Sequence, residues 1–235
     1  MTMPPLHRHQ LVHLATEGWQ RLAAQDWDDD GARACIDHWA AARLPLVVTR
    51  QCPEDPDGLS LGLPAPLRWQ RRRLALRADW QHVLGFDEFP GVQDLGPLLP
   101  RSGRATWQRL VSALTGLDAS ARVYGSHGWQ LLTGLPYLRD GSDIDLSLAV
   151  LDAHHADAVA AVLAGFCPIL PRRLDGELQF PDGRAYAWRE WQAWRAGRSR
   201  AILCKTLTAV SLEWRDRVDR VDPSRGVLAT VAAPR

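Results

Sequence analysis

The sequence predicts an α+β protein of two domains, and three observations carry that prediction. Residues 121–150, ARVYGSHGWQLLTGLPYLRDGSDIDLSLAV, read as a strand, a small-residue turn, a short helix and a second strand. Pro90, Gly91, Gly96, Pro97, Pro100 and Gly103 crowd one stretch and mark the best boundary in the chain. On either side of it, strand-length apolar runs alternate with helical patterns. The expected division is an N-terminal α+β domain over 1–84, a Pro/Gly-rich linker over 85–104 and a C-terminal mixed sheet flanked by helices over 105–222. A poorly ordered tail over 223–235 completes it.

A chain of 235 residues can bury a substantial core. Its 28 Lys and Arg against 27 Asp and Glu leave a formal net charge of +1, so no overall field favours nucleic acid or an anionic membrane. Neither is expected as a partner. The four cysteines, Cys35, Cys52, Cys167 and Cys204, have no metal-ligand spacing and fit a reducing compartment. No apolar run nears the roughly 20 residues of a membrane span, and MTMPPLHRHQ lacks a signal-peptide core. The expected location is the cytoplasm.

In chain order, His7, His9 and His13 come first. His7 and His9 share a strand face while His9 and His13 share a helix face, so no single geometry collects three zinc ligands. Arg8 and His9 remain able to touch substrate from the N-terminal domain. Asp26, Asp28, Asp30 and Gly31 copy half of a calcium loop, but Asp37 stands where its bidentate Glu belongs. Acidic residues capping a helix over 32–42 are the simpler account. Leu44 to Arg50, Leu59 to Leu63 and RRRLALRAD then read as strands. A short basic run usually covers a solvated face, yet Arg68, Arg71, Arg72 and Arg73 can also fork onto phosphates. Arg72 and Arg50 are the candidates carried forward for that role.

Beyond the linker, Trp107, Leu110, Val111, Leu114 and Leu117 predict a helix over 106–117. In the next strand, Val123 and Tyr124 run into Gly125-Ser126, whose small side chains let backbone N–H groups face an anion. A short helix over 128–135 follows, and Asp143-Ile144-Asp145-Leu146 begins an extended run. Alternate strand residues share a face, so Asp143 and Asp145 project together while Ile144, Leu146 and Leu148 enter the core. Paired carboxylates repel unless a cation lies between them, and oxygen-only ligands suit Mg²⁺.

A helix capped by Asp152 follows, and then RRLDGELQF reads as a strand with Asp175 and Glu177 on one face. That face could equally be a solvated acidic edge. Trp188, Trp191 and Trp194 sit at threes on a helix, where a stripe more often packs on a sheet than stacks a base. Ala201 to Cys204 and Val210 to Trp214 are two further runs, the second left open between strand and helix. Lys205 ends the first and is a candidate phosphate contact.

The Gly-Ser turn followed by Asp-x-Asp on the next strand resembles the nucleotidyltransferase superfamily related to DNA polymerase beta. The wording YGSHGWQLLTGLPYL followed by SDIDL is most similar to one branch, the phosphoribosyl-dephospho-CoA transferases of malonate decarboxylase, also called holo-acyl-carrier-protein synthases. The likeness is strongest over 124–146, with weaker support from DGE and PDGRAYAWREW. The gap between Ser126 and Asp143 exceeds the general superfamily spacing and fits this branch.

The resemblance implies a polymerase-beta-like catalytic domain and a third carboxylate on the strand beside the pair, with Asp175 first and Glu177 second. Asp143, Asp145 and Asp175 would hold two Mg²⁺ ions, and Gly125 and Ser126 would hold the leaving diphosphate. The implied donor is triphosphoribosyl-dephospho-CoA, and the acceptor a serine on the acyl-carrier subunit of malonate decarboxylase. Two alternatives stand beside this expectation: an AMP-transferring nucleotidyltransferase acting on a small hydroxyl or a protein, and a non-catalytic module that docks a carrier protein.

Overall fold

Apolar alternation between residues 11 and 87 builds an antiparallel sheet in a computed structural model that describes residues 6–27, 29–55 and 57–215. Strand β1 (Leu11–Leu14) leads through helices α1 (Thr16–Ala23) and α2 (Asp30–Ala42) to β2 (Leu46–Val48). Strands β3 (Gly58–Pro64), β4 (Arg73–Asp79) and β5 (Val83–Asp87) complete the sheet in the order β4-β3-β2-β1-β5. Asp29 caps α2, its Oδ1 accepting from the Ala32 N–H at 2.9 Å. The helix therefore uses the acidic run as a cap, as its composition predicts. Asp28 lies outside the described residues. Trp19, Leu22, Ile36 and Trp39 close the sheet's inner face.

The Pro/Gly stretch 85–104 is built rather than free. Gly85–Asp87 finish β5 and pair with β1, placing His13 opposite Gly85 and Leu11 opposite Asp87. The Pro90 carbonyl accepts from the Val123 N–H at 2.8 Å. Val92–Leu98 form a 3-10 turn, and Pro100 stands at the N-cap of α3 (Arg101–Thr115), which begins five residues before the expected helix. Pro100 thus marks an element start, where its missing N–H costs nothing, while Pro97 lies inside the 3-10 turn.

The second sheet runs β11-β10-β9-β8-β7-β6. It is formed by β6 (Ala121–Tyr124), β7 (Ile144–Ala149), β8 (Leu174–Gln179), β9 (Ala185–Ala187), β10 (Ala201–Lys205) and β11 (Val210–Trp214). It is mixed: β7 and β8 are parallel, joined by the crossover helix α5 (Ala153–Phe166), and the other pairs are antiparallel. The run that sequence left open is thus the edge strand of a hairpin with β10. Helices α3, α5 and α6 (Trp188–Arg195) bury Trp107, Leu110, Val159, Leu163 and the tryptophan stripe against one face. Trp188, Trp191 and Trp194 are core, so packing claims them. The expected tail, 223–235, lies outside the described residues.

Helix α4 (Gly125–Thr133) joins the two halves. Its Trp129, with Tyr137 beyond it, belongs to the N-terminal core and meets Phe89 edge-to-face at 5.4 Å between ring centroids. The Tyr137 hydroxyl donates to the Pro64 carbonyl at 2.7 Å, and the Leu67 N–H donates to the Pro136 carbonyl at 3.2 Å. Apolar burial with satisfied hydrogen bonds thus welds the seam where a cleft opens.

Candidate active site

Strand pairing brings the carboxylates together. Because β7 and β8 run parallel, Asp145 lies opposite Asp175 and Ser147 opposite Glu177, on the face away from α5. Asp143 immediately precedes β7. Gly125 and Ser126 are the first residues of α4 rather than a separate turn, so free N–H groups of the helix N-terminus face this end of the sheet. Gly125 has φ +63, and a Cβ there would collide with the Asp145 carboxylate. Only glycine admits so close an approach. His127 fixes the geometry from below: 2 % exposed, its Nδ1 lies 2.9 Å from the Asp143 carbonyl oxygen. Burial pushes the His127 pKa down, which keeps the ring neutral.

The carboxylates are unequally compensated. Asp145 accepts no hydrogen bond among the described residues. Burial, then the charges of Asp175 and Asp143, push its pKa up to about 6. The Arg173 guanidinium stands between the other two, 3.6 Å from Asp143 Oδ2 and 3.5 Å from Asp175 Oδ2. Among the described residues no group of three or more His, Cys, Asp or Glu side chains already converges on a metal position. The donor set nonetheless suits a hard cation, being all oxygen, short of positive charge at Asp145 and bridged by an exposed guanidinium.

Glu177, two residues along the same face, is differently placed. It is 5 % exposed and ringed by donors. Arg8 Nε and Nη2 donate at 3.2–3.3 Å, Lys205 Nζ donates at 2.7 Å, and His9 Nε2 lies 3.1 Å from Oε2. Burial opposes its charge, but His9, Arg8 and Lys205 outweigh that and hold the carboxyl well below the usual range. This makes Glu177 the anchor of the N-terminal segment, and leaves Asp175 beside the pair. His9, at φ +66, stacks on Tyr124 at 4.0 Å between centroids and reaches the cleft.

The cleft encloses about 710 Å³ between the domains, with Gly125, Ser126, Asp143 and Asp145 on one wall. The other wall is N-terminal: Val47, Pro64, Ala65, Arg71 and Arg73. Of the basic run read from sequence, Arg71 and Arg73 line it, whereas the candidates singled out, Arg50, Arg72 and Lys205, do not. Arg50 is exposed beyond β2, Arg72 pairs with Asp29, and Lys205 is bound to Glu177. Sequence reasoning passed over Arg139, Arg173 and His127. The one local signal for them was proximity to the carboxylate and Gly-Ser motifs.

Comparison with known proteins accounts for the whole described chain. The family model for the phosphoribosyl-dephospho-CoA transferase MdcG N-terminal domain matches residues 7–89, and that for the C-terminal domain matches 92–216. The chain belongs to the phosphoribosyl-dephospho-CoA transferase family. A Bradyrhizobium diazoefficiens phosphoribosyl-dephospho-CoA transferase is 34 % identical over 218 residues, covering 90 % of this chain and 94 % of its own. One from Xanthomonas axonopodis pv. citri is 34 % identical over 204 residues, 85 % and 90 % of the two chains. One from Pseudomonas aeruginosa is 30 % identical over 189 residues, 75 % and 84 %. No solved structure matches significantly. The boundary between the family's two domains, at 89–92, falls inside the Pro/Gly stretch. No helix among the described residues is long and apolar enough to cross a membrane.

Proposed function

We propose that this member of the family transfers the 5′-phosphoribosyl-dephospho-CoA group from triphosphoribosyl-dephospho-CoA to a serine of the malonate decarboxylase acyl-carrier subunit, releasing diphosphate. The observation that carries the reading is the register of Asp145 against Asp175, with the Gly125-Ser126 helix start pressed onto Asp145. Clustered carboxylates, one of them without a hydrogen bond, beside an anion-receptive helix terminus are what transfer to or from a polyphosphate requires.

The serine oxygen attacks the α-phosphorus of the donor triphosphate, and the bond from that phosphorus to the bridging oxygen breaks. Diphosphate departs toward the N–H groups of Gly125 and Ser126, where helix-terminal donors favour an anion. Asp175, exposed enough to meet an incoming hydroxyl, accepts the serine proton. Glu177 keeps the N-terminal segment and His9 in place. Asp143, Asp145 and Asp175 would hold Mg²⁺, two ions by expectation, which would neutralise charge on the transferred phosphoryl group once Arg173 swings aside.

The test is to incubate the protein with Mg²⁺, triphosphoribosyl-dephospho-CoA and the apo carrier subunit, then weigh the carrier by mass spectrometry. The expected result is a mass gain equal to the prosthetic group, abolished by EDTA. An AMP-sized adduct formed from ATP instead would move the chain to the AMP-transferring alternative. Carrier binding with neither adduct would make it a docking module.

A further inference from the structure

The arginines of the N-terminal domain divide into two groups. Arg68 lies over the Trp69 ring at 3.6 Å, Arg72 pairs with Asp29, and Arg77 pairs with Asp55. Arg71 and Arg73 line the cleft, and their guanidinium groups have no acidic or hydrogen-bonding partner among the described residues. Across the opening Arg139 is in the same state. An unpaired arginine facing bulk water is ordinary. Three lining one open cleft from two domains, while sequence neighbours are neutralised, are a site for anions.

The backbone that presents them is constrained. Gln70 and Arg71 are successive non-glycine residues at φ +58 and +57, a conformation that persists only where the surroundings enforce it. The Arg71 N–H donates to the Pro66 carbonyl at 3.2 Å and the Ala65 N–H to the Arg72 carbonyl at 2.8 Å. Tyr137 clamps the same loop through Pro64, where Arg73 pairs in the sheet register. The loop is therefore held to the segment carrying Arg139. The backbone positions from which the arginines project are thus set by the fold before any ligand arrives.

Resting on the proposed reaction, we propose that Arg71, Arg73 and Arg139 form a metal-independent subsite for the internal diphosphate of the dephospho-CoA half of the donor. That donor carries two polyphosphate groups. The carboxylate end repels phosphate unless cations are bound, so it serves the reacting triphosphate. The arginine wall attracts phosphate directly and serves the group that does not react. Apolar Val47, Pro64 and Ala65 beside the arginines give the rest of the nucleotide a dry surface.

Titration calorimetry with dephospho-CoA in EDTA tests this, because the probe contains that diphosphate and no triphosphate. Affinity should fall roughly tenfold or more in Arg71→Ala/Arg73→Ala and in Arg139→Ala, the loss expected for charge-assisted bonds. It should be unchanged in Arg77→Ala, and Arg73→Lys should recover part of it. Thermal melts confirm that each variant is folded, and Arg71→Lys with Arg139→Ala serve if the double variant is not. Equal affinity across folded variants, no binding by the wild type, or equal binding of phosphate-free pantetheine would overturn the subsite. Arginine-dependent binding without group transfer would retain the subsite and remove the transferase reading. Full transfer with unchanged kcat/KM in the double variant would do the reverse.

Discussion

Asp175 and Glu177 share one face of β8, two residues apart, yet stand in opposite electrostatic settings. Asp175 faces Asp145 and Asp143 with a single loosely held arginine, whereas Glu177 is closed in by Arg8, His9 and Lys205. The first group lacks positive charge and is available to a cation. The second is complete and is available to nothing. Identical periodicity thus yields a reactive end and a structural anchor, and the difference comes from which loop each carboxylate meets.

The sharpest way to break this comparison is activity. Asp145→Asn should lower transfer by about 10³-fold or more, the scale of losing a main electrostatic stabiliser, with folding intact by circular dichroism. An active Asp145→Asn enzyme would put the chemistry elsewhere. Glu177→Gln should act on stability, costing about 1–3 kcal/mol because part-buried Arg8 and Lys205 lose the charged partner of their hydrogen bonds. Denaturant unfolding measures it, and a stable but inactive variant would move Glu177 into the reactive group.

The pH dependence should be of opposite sign in the two regions. Asp145 has its folded pKa raised to about 6 from 3.8, so its contribution is fully present below the unfolded value and is lost as pH rises through 6. In EDTA, taking pH from 5 to 7 should therefore cost of the order of 1 kcal/mol that Asp145→Asn does not lose. Glu177 has its pKa lowered, so its contribution is present above the unfolded value and is lost only in strong acid. Parallel pH curves for wild type and Asp145→Asn between 5 and 7 would show that Asp145 is already compensated. The smallest effect belongs to Arg173→Ala, which should change stability by less than about 1 kcal/mol, as for exposed ion pairs. The same variant should bind Mn²⁺ more tightly, and weaker binding would make Arg173 a support rather than a place-holder.

Much of this was legible in the chain. The placing of Asp145 and Asp175 on strands was readable because strand alternation is local and acidic residues on a core strand stand out. Helix α2 and its cap were readable for the same reason. The linker was misjudged because Pro and Gly signal both loops and element starts, and only pairing with β1 and β6 shows which. Strand β1 was masked by His13 and the histidines before it, and Arg50, Arg72 and Lys205 were chosen by residue type alone.

By itself, the sequence determined the α+β class and the Gly-Ser and Asp-x-Asp motifs, since each depends on neighbours within a few residues. The tertiary structure alone decided that Glu177 anchors the N-terminal segment, that Arg173 bridges two aspartates, and that Arg71, Arg73 and Arg139 face one cleft. Those outcomes depend on which charges meet between different segments of the chain, as with Arg8 and Glu177, 169 positions apart. Local periodicity sets the face a side chain occupies, and only packing sets the partner waiting there.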